Sequence, residues 1–143
     1  MLLRAVLFTA LLALASPMAR ADIVLVADPE EWIQSGLQDI TQGRTDDFSR
    51  NFLTLIGNLD ALEAFSKEMR VLSTIAPPAF LEKVHEQKYG TVMREWIYLA
   101  LYNKTDYVYF KFVAKKNREG WLMSKFEFKI EPAEAFPKDF ITR

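Results

Sequence analysis

The apolar period of this chain changes once, at Pro77-Pro78, and that single change restricts the fold more than any motif does. Before the prolines, apolar residues recur every three to four positions, the spacing of helices with one buried stripe. From Phe80 onward the period is two, and β-branched and aromatic residues accumulate, as in strands. Helices first and an antiparallel meander second define an α+β chain in which the helices must cover one face of the sheet.

Asp28-Pro29-Glu30-Glu31 opens the first helix, with Asp28 as N-cap, Pro29 at the first helical position and Glu31 placed for a capping box. Ile33, Leu37 and Ile40 share a face, and Gly43 is the natural stop. Thr45-Asp46-Asp47 is suited to cap a short second helix through Phe48, Phe52, Leu53 and Ile56. Asn58 opens a third, in which Leu59, Leu62, Phe65, Met69 and Leu72 form the stripe. Pro78 then forces the residue before it out of helical space.

Three to four antiparallel strands come after the prolines, at about Leu81 to Tyr89, Val92 to Tyr102, Asp106 to Lys115 and Trp121 to Ile130. Turns are expected at Gly90, at Asn103-Lys104 and at Asn117 to Gly120. Alternation assigns Met93, Ile97, Leu99 and Leu101 to the helix-bearing face, with Val108, Phe110, Phe112 and Ala114 beside them. Leu122, Phe126, Phe128 and Ile130 complete that face. The opposite face then collects Trp96, Tyr98, Tyr102, Tyr107, Tyr109, Trp121 and Met123, interspersed with Arg94, Lys111, Lys125 and Lys129.

The first twenty-one residues read as a signal peptide: Arg4 as a positive n-region, Ala5 to Ala15 as an apolar h-region, and Ala19-Arg20-Ala21 as the cleavage site. Cleavage between Ala21 and Asp22 leaves residues 22 to 143 as one domain, periplasmic or secreted. The apolar run is shorter than the ~20 residues a membrane-crossing helix needs, so no membrane anchor is expected after cleavage. Taking Arg4 and Arg20 from 18 basic residues against 19 acidic ones leaves a formal charge of −3. Asp22 to Ala79 is acidic and Phe80 to Arg143 is basic, but the second half's excess of three is too small for a nucleic-acid surface.

With no cysteine and one histidine, thiol chemistry and multi-histidine zinc sites are ruled out, and no calcium loop is present, so no metal or cofactor is expected. The histidine, His85, alternates with Lys83 and Gln87 against Val84, which predicts a solvent-facing side chain rather than a general base. Asp46 and Asp47 are suited to a pocket mouth, yet first-turn helix acids are favoured by the backbone dipole alone. Asn103-Lys104-Thr105 matches a glycosylation acceptor at a turn, a match that chance explains.

The second strand and its approach, Lys88-Tyr89-Gly90 and Arg94 to Tyr102, carry a family likeness together with Tyr107-Val108-Tyr109-Phe110-Lys111-Phe112, Gly120-Trp121-Leu122 and Phe126-Glu127-Phe128. From about Asp28 to Ile130 the chain resembles small exported members of the nuclear-transport-factor-2-like superfamily, whose fold is the cystatin-like α+β roll. The resemblance implies helices packed on a curved meander. It leaves function open, since the superfamily includes isomerases, dehydratases, carrier and assembly domains. Catalytic members place acid and base residues in a cone between helices and sheet, and the early strand hairpin of many members is missing here.

No residue reads as catalytic from the sequence. The expected working surface is the aromatic and lysine face, represented by Trp96, Tyr98, Tyr107, Tyr109, Lys111 and Trp121. It is suited to a protein partner, a second copy in a homodimer, or a small apolar ligand. The competing expectation for that face is coverage by the C-terminal tail through Phe136, Phe140 and Ile141. A lyase- or isomerase-like enzyme is the alternative, and it requires an ionisable group enclosed between helices and sheet.

Overall fold

The computed structural model describes residues 24–131 and Phe136; the leader, the Ala21/Asp22 junction, Phe140 and Ile141 lie outside the described residues. Three helices, α1 (Pro29–Thr41), α2 (Thr45–Leu55) and α3 (Leu62–Ser73), precede four strands, β1 (Leu81–Tyr89), β2 (Met93–Tyr102), β3 (Asp106–Lys116) and β4 (Trp121–Lys129). The strands pair antiparallel in the order β1-β2-β3-β4, the α+β meander expected from the change of period.

The Asp28 carboxylate accepts from the Glu30 and Glu31 N–H groups, and Ile33, Leu37 and Ile40 are buried along α1. Gly43, at φ +78°, ends it. Thr45 does not cap α2 as expected; it is the first helical residue, buried, and its carbonyl accepts the Ser49 hydroxyl. Leu59 is also off the expected stripe, because Leu59–Ala61 is a 3-10 turn whose tighter winding leaves it exposed. Between α1 and α2 the backbone approaches closely: a Cβ on Gly36 would stand 2.8 Å from the Phe48 ring.

Helices and sheet meet in a phenylalanine cluster. Phe126 of β4 is its hub, with the rings of Phe48, Phe52, Phe65, Phe110 and Phe112 at centroid distances of 4.8 to 6.3 Å. Edge and tilted contacts of this kind add to the burial term for each ring.

The faces of β2 are the reverse of the expectation. Trp96, Tyr98, Ala100 and Tyr102 join the core under the helices, whereas Ile97, Leu99 and Leu101 point to the other side. The cause is one residue of turn. A two-residue Asn103-Lys104 connection would pair Tyr102 with Thr105, but the loop spans Asn103 to Thr105 and pairs Tyr102 with Asp106. Shifting the register by one moves every β2 side chain to the opposite face. Asn103 and Lys104 supply the positive φ pair, 50° and 66°, and Thr105 N–H donates to the Tyr102 carbonyl.

Two bulges act in the same way. In β4, Val113 pairs with Lys125 and Ala114 with Met123, so Ser124 is the extra residue and Trp121 and Met123 fall on the same side as Phe126. In β1 the register slips between Lys83 and His85, so Lys83 faces the helices while His85 lies opposite Ile97 on the outer face.

Candidate ligand-binding cleft

At the hairpin end the helices and the sheet do not close on each other. Helix α3 stops at Ser73 ahead of Pro77-Pro78, and the chain then crosses to β2, where Ala79 N–H donates to the Leu101 carbonyl. Strand β4 stops at Lys129, paired with Tyr109, so Asp106, Tyr107 and Val108 of β3 overhang it. Between these ends lies a cavity of about 560 Å³. Leu72, Ile75, Val108 and Phe128 form apolar walls, and Thr74, Asn103, Thr105 and Asp106 form a polar margin.

Tyr102 lines the cleft while being only 1% exposed. Its hydroxyl is buried and makes no hydrogen bond within the described residues. Burial pushes the Tyr102 phenol up to about 12, so it stays a neutral donor at any physiological pH. Val71, Tyr107 and Ile130, all exposed, stand around the mouth. A second hollow lined by Ala64, Lys67 and Glu68 shares Val71 and Phe128 with the cleft and continues it along α3.

Of the residues expected to form one surface, Tyr107 and Tyr109 reach this cleft and the others do not. Trp96, fully buried, and Tyr98 belong to the core under the helices, because of the one-residue shift in the β2–β3 register. Trp121 is half-buried on that same side, where the Arg94 guanidinium lies 4.6 Å from the Trp96 ring centroid and 5.9 Å from that of Trp121. Arg94 also donates to Glu86 at 2.6 Å, and Lys83 bridges Glu86 and Glu30 of α1. The hydrogen bond from Arg94 holds the Glu86 carboxyl below its usual range, and the one to Glu30 raises the Lys83 ammonium.

Lys111 lies on the outer face, its Nζ 3.2 Å from Glu95 Oε2. His85 is on the outer face but not open to solvent, because other side chains cover it there: its Nε2 is 3.7 Å from Glu95 Oε1 and its ring packs against Phe136. Phe136 also meets Tyr109, with ring centroids 5.5 Å apart, which puts this part of the C-terminal segment on the outer face. Asp46 and Asp47 are exposed in the first turn of α2, and Asp46 accepts from Arg70 Nε at 3.1 Å.

The space between helices and sheet, where the enzyme alternative requires an enclosed ionisable group, holds the phenylalanine cluster. Glu95, the one buried carboxylate among the described residues, faces away from it. Among those residues no His, Asp and Glu side chains gather as a metal site, and no helix is long and apolar enough to cross a membrane. Sequence reading missed Tyr102, Val71, Ile75 and Asp106 as neighbours; the early Pro-Pro stop and the hairpin overhang were the signals that point to them.

The fold and the cleft define an α+β meander domain with an open, ligand-sized hollow at its hairpin end. Comparison with family models, curated proteins and solved structures finds no match to this chain.

Proposed function

We propose that this domain binds a small, largely apolar ligand in the cleft between the end of α3 and the β2–β3 hairpin, without transforming it. The carrying observation is a largely apolar cavity of about 560 Å³, walled by Leu72, Ile75, Val108 and Phe128 and open between the end of α3 and the hairpin. Ligand pockets are typically ~300–1,000 Å³, apolar, with few polar groups. The cluster of Val71, Tyr107 and Ile130 at the mouth supports this reading, because large apolar side chains gathered in water mark binding surfaces. A leader-like N-terminus favours a periplasmic or secreted place of work, and the likeness to the nuclear-transport-factor-2-like superfamily suits a carrier-type domain. A dimer or partner surface made of the aromatic face has less support, because Trp96 and Tyr98 are turned into the core.

The neutral fluorescent probe N-phenylnaphthylamine tests the proposal. Its emission should rise on mixing with the protein, and Val71→Trp, which fills the mouth from an exposed helix position, should abolish the rise. Stability should change by no more than about 0.5 kcal/mol in that variant. No enhancement with the parent protein, or full enhancement in a folded Val71→Trp, would overturn the reading.

A further inference from the structure

Ile97 of β2 is 0% exposed and Val113 of β3 is 8% exposed, yet both point away from the helices and neither belongs to the core that the helices cover. A side chain on the outer side of a single sheet layer stands in water unless something is laid over it. This burial arises within one chain, so the cover is part of the chain itself. The half-buried Phe136 marks where the cover runs: its ring centroid lies 6.1 Å from that of His85 in β1 and 5.5 Å from that of Tyr109 in β3. Those two strands flank β2 and stand about 10 Å apart, so a ring that meets both sits above β2, over Ile97 and Leu99.

Reach and charge agree with a cover of this kind. From the end of β4 at Lys129 the chain must return across β3 to bring Phe136 over β2, and residues 137 to 143 follow it, among them Phe140 and Ile141. A fully extended run of that length spans up to about 24 Å, against about 14 Å across four paired strands. The charges beneath are already matched, with Glu95 3.2 Å from Lys111 and 3.7 Å from His85, so an apolar cover does not bury a lone carboxylate. We infer that the outer face of the sheet is the docking site of the chain's own C-terminal segment, residues 132–143, a strap pinned over β2 by Phe136 that closes this face to any other partner.

The chain has no cysteine, so Thr142→Cys in the full chain takes a single nitroxide label. The methyl signals of Ile97, Leu99 and Val113 should lose intensity several-fold, while those of Ile33 and Leu37 beneath the helices keep most of theirs. Phe136→Ala, a change outside the helix-covered core, should restore the outer-face signals of the labelled chain several-fold. No loss at Ile97, Leu99 and Val113, or an equal loss in Phe136→Ala, would overturn the inference. In a second sample, labelled chain is mixed with unlabelled, isotope-enriched chain, and the signals of the latter should stay as they are. Loss of its outer-face signals would make a second copy the occupant and overturn the inference as well.

Discussion

The middle of the helix–sheet interface and its hairpin end are built from the same elements and reach opposite outcomes. In the middle, α2 and α3 bring Phe48, Phe52 and Phe65 onto Phe112 and Phe126, and the space is filled. At the hairpin end, α3 stops at Ser73 and β4 at Lys129 while β2 and β3 run on, so a cleft lined by the buried Tyr102 and Val108 stays open to solvent. The difference lies in element length rather than in composition: the apolar stripe is continuous, and the helix beneath it runs out. An open site can thus be made in a domain of this size without hollowing the core that holds it together.

Breaking the filled region should have the largest effect. Phe126→Ala removes the hub of five ring contacts and should cost about 3–5 kcal/mol, read as a lower denaturant midpoint. Gly36→Ala drives a methyl into the Phe48 ring, and should cost about 1–3 kcal/mol by the same measurement. A smaller loss would mean that α1 and α2 slide apart without strain.

Alkaline titration probes the open end. Burial raises Tyr102 to about 12, and burial, helped by Glu30, raises Tyr98. A phenol whose folded value lies above its unfolded value of about 10 supports the fold fully below that pH, and the support is lost as pH climbs through the folded value. The denaturant midpoint should therefore fall steeply above pH about 10, and less steeply in Tyr102→Phe. An equal slope in both proteins would show that Tyr102 is reached by water in the folded state. The smallest effect belongs to the hairpin: Lys104 takes φ +66°, so Lys104→Gly should raise stability by about 0.5–1 kcal/mol.

The sequence was explicit about which elements exist and silent about which way three of the four strands face. Asp28-Pro29, Gly43 and Pro77-Pro78 are local signals, and they mark helix boundaries because capping and proline geometry act within a few residues. Strand facing depends on single-residue devices: the third loop residue Thr105, the slip between Lys83 and His85, and the extra Ser124. Each reverses the parity of the strand residues on its far side. Strand β2 hid its reversal because both of its faces are apolar, Trp96 and Tyr98 on one side and Ile97 and Leu99 on the other. The cleft was invisible for the same reason, since Tyr102 enters it only when β2 faces the helices.

Methyl resonances report most directly on whether the cleft is the binding site. On titration with N-phenylnaphthylamine, the methyl signals of Val71, Ile75, Val108 and Ile130 should shift together, while Ile33, Leu37 and Leu53 in the filled interior stay in place. Shifts concentrated instead on Ile97 and Leu99 of the outer face, or no shifts at all, would contradict the account.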